Sequence, residues 1–292
     1  MEKMEMKKYT HGLSFDVEDW YQSCVNGKAP ITKRAYHNTL AILDLLEKHQ
    51  VRATMFVQGM VAETFPQLVR KMQKEGHEIA THGYSHQSVR KLGPKRFQKE
   101  LTLSIRILED ITGEKVLGHR APDFSIGPDT PWAFEIMAKA GLQYDSSIYP
   151  IQGRRYGDPQ APIEPYWVYK NGTSQLLELP LAVILLGTKR FPIAGGGYIR
   201  HYPLWFIHWA FGKLAQERRQ AIFYFHPYEI NHRETMELCR NKPDLSWKMR
   251  FFMFRQGLLR ETMPKKLSSI LKKYTFLPLG ELVHSWSFSG VK

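Results

Sequence analysis

Short runs of apolar residues recur along the chain, and most are separated by longer segments in which apolar residues return every three or four positions. The short runs predict strands, because strands buried on both faces of a parallel sheet are apolar throughout. The predicted strands cover residues 12–17, 51–57, 77–82, 116–120, 143–145, 175–179, 181–186 and 221–226.

The longer segments predict helices. Residues 94–112 are the clearest example, with an apolar stripe at helical spacing and Gly113 in the position of a C-terminal cap. Further helices are predicted over residues 38–49, 66–75, 131–140 and 203–216. Alternating strands and helices, with Gly or Pro at most junctions, favour an α/β fold whose parallel strands form a barrel or a doubly wound sheet.

Reactive side chains stand at or just beyond the ends of five predicted strands. They are Asp16, His82, Arg120, Asp145 and His226. In an α/β barrel, active sites are built at the rim formed by the carboxyl ends of the strands. Scattered polar residues would not be expected to choose the same end of five strands, so the pattern predicts one site at this rim.

His82 and His86 stand four residues apart at the end of one predicted strand. If a helical turn follows the strand, both imidazoles project from one face. Two imidazoles need only one carboxylate to complete a catalytic metal site. The alternative is two surface histidines on a loop. The reactive residues at the ends of the other predicted strands favour the metal site.

The acidic residues Asp16, Glu18 and Asp19 can supply that carboxylate. One of them completes the metal site, and another stays free as a general base toward a metal-bound water. Period-two alternation places Asp16 and Glu18 on one face of the strand, whereas Asp19 becomes available only if the strand ends before it. We predict Asp16 as the base and leave the ligand open between Glu18 and Asp19.

Arg120 and His226 complete the expected chemistry. Arg120 is predicted to hold the Asp16 carboxylate in its ionised form, with a purely structural ion pair as the alternative. His226 is predicted as the general acid that protonates a leaving amine from the side opposite Asp16, ahead of a role as third metal ligand. Backbone N–H groups in the turn around Asp123 are expected to face a developing oxyanion.

Gly195, Gly196, Gly197 and Tyr198 form a glycine-rich segment that lets the backbone approach a ligand closely. Gly196 and Tyr198 are therefore candidate substrate contacts, together with Asp123 and Asp145. The segment lacks the strand–GxxxxGK–helix context of a phosphate loop, so nucleotide binding is not predicted.

Composition narrows the class of protein. The chain has 292 residues, 43% of them hydrophobic, which suffices for one large core. Its two cysteines, Cys24 and Cys239, stand in unrelated contexts and predict neither a disulfide framework nor a thiolate zinc site. Residues 1–9 lack the apolar core of a secretory signal, and no run approaches the ~20 apolar residues of a membrane span. We expect a soluble, cytoplasmic protein.

The net charge of +13 suits a nucleic acid, an anionic membrane surface or an anionic substrate. No nucleic-acid-binding motif accompanies the charge, so a nucleic-acid partner is not expected. Residues 205–211 are rich in aromatic side chains and are followed by Lys213, Arg218 and Arg219. This stretch predicts either peripheral membrane contact through a basic surface or a helix packed on the barrel.

Taken together, these segments resemble the successive motifs of the NodB-type polysaccharide deacetylases, carbohydrate esterase family 4. The matching motifs, in the same order, are SFD at 14–16, HGYSH at 82–86, RAP at 120–122, YD at 144–145 and FH at 225–226. The variants FDVEDW at 15–20, GGGYIR at 195–200 and FHPYE at 225–229 are similar to the branch found beside exopolysaccharide and exosortase loci. The resemblance covers roughly residues 10–230, and more weakly the tail through residues 276–282.

The resemblance implies a distorted (β/α)7 barrel over residues 1–230, with a helical extension over residues 231–292 packed on it. It also implies a zinc-dependent or other divalent-metal-dependent N-deacetylase, with Asp16 as base and His226 as acid. His82 and His86 would be metal ligands, and Arg120 would be the partner of the base. The implied substrate is an N-acetylated amino sugar or polysaccharide precursor, which a polyprenyl phosphate can carry.

One departure from the family pattern leaves alternatives open. The common motif has two adjacent aspartates, whereas Val17 and Glu18 separate Asp16 from Asp19 here. A related branch of the same fold cleaves formamides or cyclic ureides, in part without an obvious metal, and provides the alternative function. A carbohydrate-binding scaffold is not expected, because base, acid and metal ligands are all present.

Overall fold

A computed structural model describes residues 9–153, 155–242 and 245–287 of the chain. Residues 1–8, on which most of the expectation about a secretory signal rests, lie outside the described residues. The strands are β1 (Thr10–Val17), β2 (Thr54–Val57), β3 (Glu78–Thr81), β4 (Gly118–His119), β5 (Tyr144–Asp145), β6 (Tyr166–Asn171), β7 (Ser174–Glu178), β8 (Val183–Leu186), β9 (Lys189–Pro192), β10 (Ile222–Phe225) and β11 (Thr275–Leu277).

Helices alternate with most of the parallel strands. They are α1 (Trp20–Cys24), α2 (Lys33–His49), α3 (Gly59–Thr64), α4 (Pro66–Lys74), α5 (Val89–Thr112), α6 (Trp132–Lys139), α7 (Gly196–Ile199), α8 (Leu204–Gln216), α9 (Glu234–Asn241), α10 (Trp247–Gly257), α11 (Met263–Lys273) and α12 (Leu279–Ser287). Helix α5 is broken at Gly93, whose φ of 68° is not helical, so its regular part begins at Pro94 as the apolar stripe predicts. None of the helices in the described part of the chain is long and apolar enough to cross a bilayer.

The main sheet closes into a barrel. Its strands run in the order β10, β1, β2, β3, β4, β5, β7 and β6, and all neighbours are parallel except β6 and β7. Leu181, three residues beyond β7, bridges in parallel to Ile222 of β10, and the Ala182 N–H donates to the Ile222 carbonyl at 3.0 Å. This bridge joins the two ends of the parallel set. The predicted (β/α)7 barrel is therefore confirmed, and the doubly wound alternative is wrong.

Two hairpins depart from the predicted pattern. Residues 181–186 do not form another barrel strand, because only β8 is extended and it pairs antiparallel with β9 in a separate two-stranded sheet. Gly187, with a φ of 60°, starts the tight turn between them. Strand β6 was not predicted, although it begins with the apolar run Tyr166–Tyr169; these four side chains are only half buried.

The tail of the chain packs against the start of the barrel. Strand β11 pairs in parallel with β1, and Leu279 and Leu282 pack over Gly12, where an added Cβ would lie 3.2 and 3.0 Å from their side chains. The described part of residues 231–292 therefore contains one sheet strand in addition to helices. The boundary at residue 230 stays a prediction.

Candidate active site and metal centre

The strand ends meet over one cavity at the rim of the barrel. Asp16 is next to last in β1, and His82, Arg120 and His226 each follow the last residue of β3, β4 and β10. The cavity has a volume of about 260 Å³, and Asp16, His82 and His226 line it. The predicted clustering at the carboxyl ends of parallel strands is what the structure shows.

Glu18, His82 and His86 form the candidate metal centre. Their ligand atoms all lie within 4.8 Å of one another, and all three side chains are buried. Glu18 Oε2 contacts His86 Nε2 and lies 3.5 Å from His82 Nε2. The Nδ1–H of His82 donates to the Arg120 carbonyl at 2.8 Å, which leaves Nε2 directed at the carboxylate.

The electrostatics of this group fit a cation at its centre. Burial alone would raise the pKa of Glu18, but His86, His82 and His226 outweigh it and hold that pKa well below the ordinary value. Burial lowers the pKa of His86, whereas the Glu18 charge raises it, and the net shift is upward. The buried carboxylate thus attracts positive charge, and two imidazoles with one carboxylate are a donor set that suits Zn²⁺ or a similar divalent ion.

A loop, not the predicted helical turn, brings the two histidines together. Gly83 and His86 both have positive φ, 69° and 58°, so the chain after β3 curls back on itself. Ser85 fixes this loop by donating through its backbone N–H and its hydroxyl to Glu100 Oε2, at 3.2 and 2.6 Å. The imidazole rings of His82 and His86 end 5.2 Å apart.

Asp19 is not part of the metal centre, which corrects one of the two ligands left open. Its Oδ1 accepts the backbone N–H groups of Tyr21 and Gln22 at the start of α1. Its Oδ2 accepts the N–H and the hydroxyl of Thr32, at 2.8 and 2.5 Å. Asp19 is therefore an N-cap residue whose oxygens are both engaged, and Glu18 alone of the two lies with the histidines.

Arg120 holds Asp16 in a fixed position. Its Nη1 donates to Asp16 Oδ1 and to Ser14 Oγ, both at 2.8 Å. On its other side, Nε and Nη2 donate to the carbonyl and hydroxyl of Ser146, also at 2.8 Å. The guanidinium is fully buried and lies over the Phe56 ring at 4.3 Å. Asp16 Oδ1 thus accepts a hydrogen bond from Arg120, while Asp16 Oδ2 lies 3.9 Å from His226 Nε2.

His226 is oriented by Glu229, a residue whose role sequence reasoning missed. The Nδ1–H of His226 donates to Glu229 Oε1 at 3.2 Å, and the His226 backbone N–H donates to Oε2 at 3.1 Å. Its Nε2 faces the cavity, 3.7 Å from Glu18 Oε1. Burial alone would lower the pKa of His226, but the Glu229 carboxylate, with Glu18 and Asp16, raises it to about 9. An acid three residues after a strand-end histidine was the available signal.

Asp123 and Tyr198, two of the predicted substrate contacts, lie in the cavity wall. Asp123 has a φ of 55° within the turn Pro122–Phe124, and its carboxylate accepts from Arg155 Nη2 at 2.7 Å. Arg155 also lines the cavity, as do Arg200 and several aromatic residues that the sequence did not single out. The aromatic ones are Trp20, Phe124, Tyr156, Tyr224, Tyr228 and Phe252.

Asp145 and Gly196 do not line the cavity, which corrects two predicted substrate contacts. Asp145 is fully buried inside the barrel, where it accepts from His119 Nδ1 and Ser147 Oγ, both at 2.7 Å. Gly196 packs against the Glu229 carboxylate so closely that an added Cβ would lie 1.8 Å from Glu229 Oε2. Gly196 therefore acts through Glu229 and not through direct contact with a ligand.

Two family models match the chain. Residues 6–144 match the model described as polysaccharide deacetylase, and residues 146–284 match a domain of unknown function (DUF3473). Strands on both sides of this junction belong to one sheet, so the two models cover consecutive parts of a single barrel.

Among curated proteins, the chain is similar to deacetylases of amino-sugar polymers. It is 32% identical over 107 residues to a peptidoglycan deacetylase of Helicobacter pylori, covering 37% of this chain and 36% of that protein. It is 31% identical over 104 residues to a chitooligosaccharide deacetylase of Bradyrhizobium sp., covering 35% of this chain and 45% of that protein. The chain thus matches less than half the length of each relative.

Solved structures share the fold. A Mycobacterium smegmatis protein assigned to the polysaccharide deacetylases superposes with a TM-score of 0.62 at 18% identity, over 97% of this chain and 92% of that chain. PuuE allantoinase superposes with a TM-score of 0.59 at 17% identity, over 98% and 93% of the two chains. At these identities, both superpositions show only that the barrel fold is similar.

Proposed function

We propose that this chain, whose residues 6–144 match the polysaccharide deacetylase model, is a metal-dependent hydrolase that removes N-acetyl groups from an amino sugar. The observation that carries the proposal is the geometry of the cavity. A candidate ligand group of Glu18, His82 and His86 stands beside a carboxylate with one free oxygen, Asp16, and a histidine held by an acid, His226. Base, acid and a metal centre around one space are what amide hydrolysis needs.

The residues divide the reaction between them. Glu18, His82 and His86 would hold a divalent ion, which would supply Lewis acidity and lower the pKa of a water molecule. Asp16 accepts the proton of the attacking water on Oδ2, because Arg120 occupies Oδ1. His226 donates a proton from Nε2 to the leaving amine, while Glu229 holds Nδ1 and fixes the ring. The backbone of the turn around Asp123 lines the wall where an oxyanion donor is expected.

The cavity wall supports a sugar substrate. Tyr156 and Tyr228 line it with aromatic rings, which can pack against the apolar faces of sugar rings. Arg155 in the same wall is paired with Asp123, so its charge is not an argument for an anionic substrate. We propose an N-acetylated amino sugar as the substrate and a polyprenyl phosphate as its carrier. We further propose zinc as the ion, peripheral membrane contact through the basic surface, and a cytoplasmic location.

The test is hydrolysis by the purified protein loaded with zinc. We expect acetate release from N-acetylated chito-oligosaccharides, and a loss of roughly a hundredfold or more in Asp16→Asn, in line with the usual contribution of a general base. The ion content of Asp16→Asn should equal that of the wild type, because Asp16 is not among the candidate ligands. Full activity in this variant contradicts the assigned base. Cleavage of allantoin or an N-formyl sugar, with no acetate release, supports the alternative amidohydrolase.

A further inference from the structure

Helix α10 carries an apolar stripe on its outward face. Trp247, Phe251 and Phe254 are 72, 56 and 62% exposed, and their spacing of four and three residues places them on one side of the helix. Leu258 and Leu259, just beyond the helix, are exposed as well. Residues 247–259 contain five of the ten exposed large hydrophobic side chains in the described part of the chain. A contiguous exposed patch of this kind marks an interaction surface.

The packing of α10 onto the protein is provided by its opposite face. Met253 is fully buried in a cluster with Trp20, Tyr228 and Leu238. Phe252 stacks on Trp20, with ring centroids 6.4 Å apart and planes within 10°. The outward stripe is thus not needed to attach the helix to the barrel.

The basic residues beside the apolar stripe of α10 indicate what kind of surface the stripe contacts. Residues 246–260 contain four basic residues and no Asp or Glu. Arg260 is fully buried and Arg250 donates to backbone carbonyls, so two of the four lie at the outward surface. Lys248 and Arg255 are exposed beside the stripe. An amphipathic helix with aromatic residues on one face and Lys or Arg beside them is the composition of helices that lie in the surface of an anionic bilayer.

Helix α8, the other aromatic stretch, lacks this charge pattern. Trp205 and Trp209 are 70 and 44% exposed. However, Lys213 Nζ lies 3.0 Å from Glu217 Oε1, and Arg219 is buried and bonded to the same carboxylate at 2.7 Å. Glu217 therefore pairs with two of the three basic residues that follow these tryptophans, and of the three only Arg218 is exposed.

We propose that Trp247, Phe251 and Phe254 dock into the interfacial region of a bilayer with anionic headgroups, with Lys248 and Arg255 at the lipid phosphates. Phe252 and Gln256, on other faces of the same helix, line the active-site cavity. Arg200 Nη1 donates to the Gln256 carbonyl at 2.7 Å and fixes this end of the helix to the cavity wall. Docking therefore holds the cavity beside the membrane surface. The docking does not depend on the reaction proposed above.

Vesicle co-sedimentation tests the proposal. The wild-type protein should bind vesicles of phosphatidylcholine mixed with phosphatidylglycerol, bind pure phosphatidylcholine more weakly, and dissociate as salt is raised. Trp247→Ser/Phe251→Ser/Phe254→Ser should lose binding to both, and Lys248→Glu/Arg255→Glu should lose roughly tenfold or more on the anionic vesicles only. Trp205→Ser/Trp209→Ser is the matched aromatic control and should bind like the wild type.

Three outcomes overturn the proposal: no binding of the wild type to anionic vesicles, equal binding by the triple variant, or equal loss in the Trp205/Trp209 control. Light scattering should show the same mass for the wild type and the triple variant. A wild-type dimer that the triple variant converts to a monomer, without lipid binding, would instead identify the stripe as a contact between two copies. Unchanged acetate release from free chito-oligosaccharides by the triple variant would separate failure of docking from failure of the proposed reaction.

Discussion

Gly196→Ala tests whether the glycine-rich segment acts through the catalytic histidine. The added Cβ would lie 1.8 Å from Glu229 Oε2, 2.3 Å from Cδ and 2.7 Å from Oε1. An ordinary contact between such atoms is about 3.5 Å, so the carboxylate has to withdraw by more than about 1 Å. Because the carboxylate is the end of a flexible side chain, it can move without unfolding the barrel.

Movement of the Glu229 carboxylate weakens its hydrogen bond with His226. Its Nδ1 already lies 3.2 Å from Glu229 Oε1, and a further displacement breaks this hydrogen bond. A hydrogen bond to a charged group contributes about 1.5–3 kcal/mol, which corresponds to roughly 10- to 100-fold in rate if the contact acts only in the transition state. We therefore expect kcat of Gly196→Ala to fall by up to that factor with KM little changed, and the melting temperature to fall by several degrees, because the same hydrogen bond is present in the folded resting protein.

The assay is steady-state acetate release by Gly196→Ala, Glu229→Gln and Gly197→Ala. Gly197→Ala is the matched control, because no heavy atom lies within 4 Å of its added methyl group and the contact between His226 and Glu229 is untouched. Any effect of that methyl group in the cavity wall should appear in KM. Wild-type kcat in Gly196→Ala, or an equal loss of kcat in Gly197→Ala, would refute the reasoning.

Three further predictions concern the metal, the buried ion pair and the dependence of stability on pH. His82→Ala/His86→Ala should remove the bound divalent ion, as elemental analysis of the purified protein will show, whereas an unchanged content would exclude this site. Arg120→Met leaves Asp16 buried without its cation and should lower the free energy of unfolding by about 3–5 kcal/mol in urea titrations. Burial raises the pKa of Glu234 from 4.5 to about 7, so the folded state retains a proton that the unfolded state releases between these values. The free energy of unfolding should therefore fall by up to about 3 kcal/mol as pH rises across this window, and Glu234→Gln should be flatter than the wild type over it.

The barrel strands were readable from the sequence because their signal is local. A strand buried on both faces is apolar along most of its length: β2 and β10 are buried throughout, and β1 is buried from His11 onward although it carries Ser14 and Asp16. The polar residue that follows each run marks the rim for the same reason: a charged side chain is tolerated only where the buried run ends. Strand β9 gave no such signal, because it is half exposed and pairs only in a hairpin. Strand β6 carries the apolar run Tyr166–Tyr169 and was missed in the sequence; it is half buried and pairs only with β7.

The partners of the acidic residues were not readable, because they are distant in sequence or depend on loop conformation. Asp19 is bound by Thr32, thirteen residues away. Asp145 is bound by His119 across the sheet, so its strand-end position did not bring it into the cavity. His86 reaches the site through a positive φ, which no periodicity predicts for a histidine.

The spacing of the acidic residues explains how this chain builds its metal centre without two adjacent aspartates. Successive residues of a strand point to opposite faces, so only every second residue can reach the cavity. Strand β1 continues through Val17, which is fully buried in the core. Glu18 is therefore the next side chain on the face of Asp16, and both carboxylates reach His226 Nε2, at 3.7 and 3.9 Å. The acid that follows, Asp19, points away and starts α1. The candidate ligand Glu18 therefore stands one residue later than the second aspartate of the common motif, and its Oε2 lies with both histidines.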